Sequence, residues 1–329
     1  MQTAVKKRVA VIGAGISGLS CATHLQSLGF EVEVFEKSHG PSGRMSTRQG
    51  EGWSADHGAQ YFTARDPLFK HALEAWIADG TVGRWNPRIG VFEGGRWRES
   101  SSNEPRYVAN PGMNMIGRHL ANTLTLHLNQ TIDQLIPIND RWQLGSKESG
   151  LVISTFDFLV IALPAPQAAV LTKGLPSEIQ ETCHSVKMDG CWTVMARFSE
   201  RPNFPFDAAF VNGEKISWIC RNQSKSFRSG KESWTIHASP KWSQENIELM
   251  PQEASIQLLA CAKQLGLDCS DAEISIHRWR YASGFVSPSP EFVFLPKFNL
   301  GLCGDWLNGG RVEGAWLSGR KLAGQIENI

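Results

Sequence analysis

Apolar and polar positions follow two different periods along the chain. The apolar run 9–12 predicts a buried parallel strand, and apolar residues at helical spacing then continue to Gly29. Strand-like alternation follows at 32–36, and the run 159–163, closed by Pro164, predicts a further buried parallel strand. Strands that alternate with helices are typical of an α/β domain with a Rossmann-like parallel sheet and helices on both faces, in three layers.

The middle of the chain has a different pattern. Short runs rich in β-branched and aromatic residues predict antiparallel strands with one face toward a pocket, at 192–198, 208–212, 216–220 and 233–238. Apolar residues at helical spacing predict helices over 66–79 and 251–265. We therefore expect a second, α+β domain built on an antiparallel sheet.

Three glycines at GxGxxG spacing join the first strand to the first helix. In this context they predict a dinucleotide-binding turn, because the N-terminus of the helix attracts a pyrophosphate. An acid at the end of the second strand is placed to accept hydrogen bonds from ribose hydroxyls, and the lysine after it weakens discrimination against a 2′-phosphate. The candidate residues are Gly13, Gly15, Ile16, Ser17, Gly18, Glu36 and Lys37.

Three further segments favour FAD over NAD. A basic loop after the ribose acid could clamp the pyrophosphate from the other side. The segment 56–62 joins small, polar and aromatic residues, a composition suited to backbone lying close to a flat ring. Near the C-terminus a second glycine-rich segment leads into a helix, which indicates one long cofactor bound at both ends. The added candidates are Gly43, Arg44, Gly58, Ala59, Gln60, Gly304, Asp305, Arg311, Val312 and Ala315.

Segments 13–44, 56–62 and 304–319 resemble the flavin-containing amine oxidase superfamily, and within it the renalase family. The likeness is strong at both ends of the chain. It is weaker in the middle, where 234–239 and 277–281 are similar to renalase segments.

The resemblance implies roles for several residues. Asp305 would contact the ribityl and pyrophosphate region, the helix start at Arg311 and Val312 would face the pyrimidine edge of the flavin, and Ile132 would lie near the adenine. The cysteine with which some amine oxidases attach flavin is not apparent before Gly304. We therefore expect non-covalent FAD.

Candidate catalytic residues are His237, Trp279, Gln60 and Tyr61. Trp279 is similar to a renalase tryptophan that precedes an arginine at the substrate site, and His237 matches an Ile-His pattern and could orient a carboxamide. Tryptophan is usually a core residue, so the tryptophans of this region can equally be core: Trp192, Trp218, Trp234, Trp242 and Trp279. His237 can equally be a sheet residue with its hydrogen bonds satisfied.

By this resemblance, isomeric dihydronicotinamide dinucleotides, 2- or 6-dihydro-NAD(P), would give a hydride to flavin N5, and dioxygen would accept the electrons and form hydrogen peroxide. Arg278, Arg280 and Arg311 could meet the substrate phosphates, although surface arginines are the default interpretation. Two alternatives stay open: an amine oxidase and a non-catalytic flavin-holding interaction protein. The lysine that many amine oxidases place near N5 does not align with Lys187, Lys215, Lys241 or Lys297.

Length suits two domains that share one cofactor. The expected FAD-binding domain is discontinuous and comprises 1–65, 106–166 and 290–329, while 66–105 and 167–289 form the substrate domain.

Charge and cysteine content exclude other classes. The 33 basic and 32 acidic residues nearly balance, so we expect no nucleic-acid partner and no acidic membrane surface. Seven cysteines without a CxxC pair predict reduced thiols, a cytoplasmic location and no metal site. Lys6 to Arg8 before the apolar run imitates a secretory signal, but the glycine turn interrupts that run.

Overall fold

The computed structural model of this chain describes residues 6–288 and 290–329. In those residues the strands are β1 Arg8–Ile12, β2 Glu31–Glu36, β3 Thr47–Gly50, β4 Trp53–Asp56, β5 Val82–Trp85, β6 Ile89–Glu93, β7 Arg96–Glu99, β8 Arg106–Ala109, β9 Thr125–Leu128, β10 Ile132–Ile138, β11 Arg141–Ser146, β12 Gly150–Phe156, β13 Phe158–Ile161, β14 Asp189–Phe198, β15 Ala208–Val211, β16 Ile216–Arg221, β17 Glu232–Ala238, β18 Glu273–Ser283, β19 Val293–Leu295 and β20 Leu300–Leu302. The helices are α1 Ile16–Ser27, α2 Pro67–Ala78, α3 Met115–Ala121, α4 Ala165–Leu171, α5 Ser177–His184, α6 Pro240–Glu245, α7 Pro251–Gln264 and α8 Val312–Glu327.

The described chain divides into two compact units. Unit 1 comprises 6–43, 116–188 and 284–329, and unit 2 comprises 44–115 and 189–283. Both units are therefore discontinuous in sequence, as are the two predicted domains, but their boundaries differ from the predicted ones.

Local pairing explains the different boundaries. Residues 44–65 and 106–115 lie in unit 2, because the Ser233 hydroxyl donates to the Ser54 carbonyl (2.7 Å) and β8 pairs with β5. Residues 167–188 and 284–288 lie in unit 1. There α4 packs on β10, and the Val286 amide donates to the Trp306 carbonyl (2.8 Å).

Unit 1 contains a six-stranded sheet in the order β19-β20-β13-β1-β2-β9, parallel except for β19. The central strand β1 is buried over most of its length, and α1 and α8 pack together. The Ser20 hydroxyl donates to the Trp316 carbonyl (2.8 Å), and a side chain at Gly319 would overlap the Ser17 carbonyl. Small residues thus let the two helices approach closely. The three-stranded antiparallel sheet of β10 to β12 was not predicted.

Unit 2 is built on a seven-stranded sheet in the order β18-β14-β17-β16-β15-β6-β7, antiparallel except for the parallel pair β15 and β6. One face is apolar and packs against α7, with Trp192, Val194, Trp234 and Ile236 in the shared core. Side chains alternate between faces along a strand, so the residues between these lie on the opposite face. We call that opposite surface the polar face.

The structure confirms the predicted fold class and the two predicted helices near 66–79 and 251–265. Across the described residues, no helix combines the length and the apolar character that a membrane span requires.

Candidate active site

In the glycine turn of unit 1, neighbouring atoms crowd the Cβ positions of two glycines and leave that of the third open. Gly13 has a φ of 105°, and a Cβ there would lie 2.7 Å from the Ala162 carbonyl oxygen. A Cβ at Gly18 would overlap the Gly13 carbonyl oxygen. At Gly15, in contrast, no atom of the described chain lies within 4 Å of the Cβ position. Backbone is thus exposed where a ligand could approach it closely.

Helix α1 begins beside this open position. Its N-cap, Gly15, supplies no side-chain hydrogen bond, so the first amides of the helix have no side-chain cap. The Ser17 hydroxyl is buried and has no hydrogen-bond partner among the described residues. A helix N-terminus without a side-chain cap, beside an unpaired hydroxyl, fits an anionic group such as a pyrophosphate.

Glu36 connects the glycine turn to the end of the sheet. Its carboxylate accepts hydrogen bonds from the amides of Ala14 (2.8 Å) and Ser38 (2.9 Å), and its carbonyl accepts from the Gln130 amide (2.9 Å). Each carboxylate oxygen keeps a second lone pair. The side chain therefore holds the turn and can still accept a ribose hydroxyl. Ile132 begins β10 close to this loop and is buried.

The second glycine-rich segment also leads to a helix without a side-chain cap. The Gly304 amide donates to the Ser318 hydroxyl (3.0 Å). The carbonyl of the buried Asp305 accepts from the Asn308 (2.9 Å) and Gly310 (2.8 Å) amides. After this turn α8 begins, and its N-cap Arg311 makes no side-chain capping bond. Unit 1 thus presents two helix N-termini, from α1 and α8, that can bind negative charge.

Unit 2 contains a fully buried ionic cluster. Asp56 lies 3.0 Å from the Lys225 ammonium and 2.7 Å from the Arg228 guanidinium. The Asp56 carboxylate also accepts hydrogen bonds from the Met113 amide (2.9 Å) and the Thr47 hydroxyl (2.6 Å). Burial alone would raise the pKa of Asp56, but these two cations and two donors hold the pKa well below its ordinary value. The carboxylate therefore stays ionised.

This cluster orients Gln60. The Gln60 amide nitrogen donates to the carbonyls of Asp56 (2.6 Å) and Gly58 (3.0 Å), and its oxygen accepts from Lys225 (3.2 Å). The next residue, Tyr61, lies with its ring centroid 5.7 Å from that of Trp218. The segment that carries both predicted residues is therefore held by buried hydrogen bonds.

Two histidines and a tryptophan form a ring cluster in unit 2. The His57 ring stacks on Trp279 at 5.2 Å, and His277 lies edge-on to both rings, at 5.0 Å and 4.4 Å. The Trp279 indole nitrogen donates to the His57 carbonyl (2.9 Å). Burial, followed by His277 and Arg48, lowers the pKa of His57 to about 3, and burial with Arg48 lowers the pKa of His277 to about 4. Both imidazoles are thus neutral at pH 7.

The strand register aligns His277, Thr193, His237 and Trp218 in one row across the polar face. Burial and the Lys225 ammonium lower the pKa of His237 to about 4, so this imidazole is also neutral. The His237 Nε2, Trp218 Nε1 and His57 Nδ1 atoms are buried without hydrogen-bond partners among the described residues. Buried polar atoms are normally paired, so three in one region fit a polar ligand.

Known proteins share the fold of this chain. Residues 11–76 match the family model of an NAD(P)-binding Rossmann-like domain. Over 52 residues the chain is 46% identical to a zeta-carotene-forming phytoene desaturase of Myxococcus xanthus, which is 16% of this chain and 10% of the desaturase. The matched segment thus spans about a tenth of that relative.

Solved structures are similar over nearly the whole chain. A protein designated a protoporphyrinogen oxidase, from Exiguobacterium sp. 255-15, has a TM-score of 0.79 at 12% identity, covering 98% of this chain and 99% of that one. Cyclohexylamine oxidase from Brevibacterium oxydans IH-35A has a TM-score of 0.77 at 14% identity, covering 98% and 99%. The fold of this chain is therefore one that oxidases use, with a Rossmann-like segment at the N-terminus.

The predicted cofactor residues separate into two groups. Unit 1 contains Gly13, Gly15, Ile16, Ser17, Gly18, Glu36, Lys37, Gly43, Ile132, Gly304, Asp305, Arg311, Val312 and Ala315. In unit 2, the Ala59 amide donates to the Arg44 carbonyl (2.9 Å), and a side chain at Gly58 would overlap that same carbonyl. The Arg44 guanidinium donates to the Ala282 carbonyl (3.0 Å).

Two of the arginines proposed to meet substrate phosphates already have a carboxylate partner. Arg280 binds Glu248 through two nitrogens, and Arg278 binds the Ile247 carbonyl (2.9 Å) and Glu248 (3.4 Å). Their positive charge is thus balanced within unit 2.

Sequence patterns missed Lys225, Arg228 and His277 as members of the buried region. Lys225 and Arg228 lie in the polar stretch 222–228, whose composition is typical of an exposed loop. The alternation along β18 is a usable signal for His277, because it is two residues from Trp279 and therefore shares its face. Among the tryptophans, Trp192 and Trp234 lie on the apolar face and Trp218 and Trp279 on the polar face.

Metal and disulfide chemistry find no support in the described residues. They contain no group of three or more histidine, cysteine or acidic side chains that could hold a metal ion. All seven cysteines are free thiols, and Cys303, which precedes Gly304, is fully buried in the core of unit 1.

Proposed function

We propose that unit 1 binds FAD without a covalent link. The observation that carries this proposal is the combination of an open backbone position at Gly15 with the buried, unpaired Ser17 hydroxyl at the start of α1. Glu36 would receive the ribose, and the N-terminus of α8 would stabilise negative charge on the flavin. Burial of Cys303 in the core argues against a thioether at that position.

The substrate we propose is an isomeric dihydronicotinamide dinucleotide. Bound FAD supplies a two-electron acceptor for the hydride of the dihydronicotinamide ring. With dioxygen as the final acceptor, 6-dihydro-NAD, one proton and dioxygen give NAD⁺ and hydrogen peroxide, which balances atoms and electrons.

The polar face of unit 2 would bind the nicotinamide. Trp279, Trp218 and Tyr61 offer flat apolar surfaces to a planar ring. Neutral His237 can form hydrogen bonds with a carboxamide and adds no positive charge beside a ring that becomes cationic on oxidation. Gln60 is held in place by Asp56 and Lys225, and offers a fixed amide edge.

An amine oxidase is the second candidate, favoured by the likeness to cyclohexylamine oxidase. Lys225 is a buried lysine outside the four considered from the sequence, Lys187, Lys215, Lys241 and Lys297. Its ammonium binds Asp56 and Gln60, which makes it part of the ionic cluster.

Anaerobic mixing separates the two candidates. The purified protein is expected to show the absorbance of oxidised flavin, which 6-dihydro-NAD should bleach within the mixing time of a stopped-flow instrument. With dioxygen, NAD⁺ and peroxide should form in a 1:1 ratio. Ordinary 4-dihydro-NAD and a panel of primary amines serve as controls. Rapid bleaching by an amine alone contradicts the dihydronicotinamide proposal, and a colourless protein that takes up no added FAD contradicts both candidates.

A further inference from the structure

Arg48 of unit 2 differs from four other basic side chains of that unit. Lys225 and Arg228 bind Asp56, and Arg278 and Arg280 bind Glu248. Arg48 is half-buried, and within residues 6–288 and 290–329 its side chain has no hydrogen bond and no carboxylate at ion-pair distance, although its backbone pairs in the β3–β4 hairpin. Its charge is therefore not balanced by the protein.

The β3–β4 hairpin places Arg48 beside the ring cluster. Arg48 pairs with Ala55, and Thr47 pairs with Asp56. One residue further along, the His57 amide donates to the Ser46 carbonyl (3.2 Å). Paired residues of an antiparallel hairpin share a face and faces alternate along a strand, so Arg48 and His57 are diagonal neighbours on one face. His57 in turn contacts His277 and Trp279.

The positive charge of Arg48 acts on both histidines of the ring cluster. Arg48 lowers the pKa of both His57 and His277. The other groups that act on His57 are His277, Asp56 and His237, and Asp56 is already bound to two cations. A half-buried cation beside neutral imidazoles loses hydration without gaining a partner, which is unfavourable until an anion binds.

We propose that Arg48 is the residue of unit 2 that recognises an anionic group of the substrate. Guanidinium binds phosphate through two parallel hydrogen bonds, so a phosphate is the preferred class of anion. The His57 Nδ1 atom, buried and unpaired in the described structure, is a second group beside Arg48 that can bind the same phosphate. The assignment of that phosphate to a dinucleotide rests on the proposed function.

The kinetic test compares Arg48→Gln with Arg98→Gln, an exposed arginine of the same unit. For 6-dihydro-NAD, Arg48→Gln should raise KM at least tenfold and leave kcat within twofold, because the contact is equal in the ground and transition states. With neutral 1-methyl-1,6-dihydronicotinamide, which has no phosphate, the same variant should behave as the wild type. Arg98→Gln should leave both substrates unaffected. An equal loss with both substrates, or an unchanged KM for 6-dihydro-NAD, overturns the proposal.

A binding measurement keeps the inference separate from turnover. ADP-ribose, titrated calorimetrically into the FAD-loaded protein, should bind at least tenfold more weakly to Arg48→Gln than to Arg98→Gln. In nitrogen-15 NMR of the histidines, ADP-ribose should raise the pKa of His57 and His277 in the wild type and not in Arg48→Gln. If no dihydronicotinamide reduces the flavin but both of these results hold, the proposed function fails and the anion site stands. Equal ADP-ribose affinities in the two variants overturn the anion site itself.

Discussion

The two units build their candidate sites from different material. In unit 1 the candidate groups are mainly backbone amides of the turn at 13–18 and the helix start at 311–315, with the Ser17 hydroxyl and the Glu36 carboxylate beside the first. In unit 2 they are side chains from β3, β16, β17, β18 and the 56–62 segment, and a buried ionic cluster holds that last segment. A backbone site depends on where side chains are absent, whereas a side-chain site depends on charges and rings that must be stabilised by burial. The two sites should therefore fail in different ways on substitution.

The largest effect is expected at Gly18. A side chain there would overlap the Gly13 carbonyl and lie against Ala162, so Gly18→Val should prevent α1 from packing on β1. We expect little folded protein on expression, measured by circular dichroism and the soluble yield. Gly324→Val is the matched control, because the Cβ position at Gly324 is open. A folded Gly18→Val protein with normal flavin content would refute the close helix contact.

Asp56 is the position of unit 2 where we expect the largest loss of stability on substitution. Asp56→Asn leaves Lys225 and Arg228 buried without a counter-charge, which should cost about 3–5 kcal/mol of unfolding free energy in a urea titration. The exposed partner of Arg280 supplies the control, since Glu248→Gln should leave the urea midpoint nearly unchanged. Because the folded pKa of Asp56 is depressed, its contribution is present above the unfolded value of about 3.9 and is lost as the pH falls below it. Equal midpoints for the two variants would show that the buried cluster is not what stabilises unit 2.

Gly15 separates binding from folding in unit 1. Its φ of −71° and ψ of 170° suit any residue, and the Cβ position is open, so Gly15→Ala should fold with an unchanged melting temperature in the absence of FAD. The added methyl occupies the space proposed for the pyrophosphate and should weaken FAD at least tenfold, about 1.4 kcal/mol, in a fluorescence titration. Gly324→Ala controls for the added methyl group. Wild-type FAD affinity in Gly15→Ala would place the cofactor elsewhere.

The same difference explains what could be predicted from the sequence. The strand, the glycine turn and α1 are contiguous over residues 8–27, so spacing alone identifies them, and the family match over 11–76 agrees. The helices α2 and α7 were predicted within one residue at each end because their apolar spacing is regular. The sheet of β10 to β12 was missed because its first strand, β10, is largely exposed and its sequence shows no regular alternation.

Unit 2 could be predicted only in part, because its site depends on pairing over long sequence separations. His237 and His277 lie on either side of Thr193, because β17 and β18 both pair with β14. No local sequence pattern predicts how these strands are aligned. Lys225 and Arg228 are about 170 positions from Asp56, and their polar surroundings predict exposure. For His277, the available signal was the parity of positions along β18, which places it on the same face as Trp279.

The smallest effect is a pH dependence that only unit 2 should produce through His57. Its pKa is about 3 in the folded chain and about 6.5 when unfolded, so the unfolded chain binds a proton first as the pH falls. Stability is therefore unaffected above pH 6.5 and declines below it, by about 1 kcal/mol from His57 alone between pH 7.5 and 5.5.

His57→Phe retains a ring against Trp279 and removes this titration, so its urea stability should fall less over that interval. His71→Phe, at an exposed position, should keep the wild-type slope. Parallel curves for the wild type and His57→Phe would mean that His57 is hydrated in the folded chain, and that burial does not hold the side-chain site of unit 2 in the way proposed here.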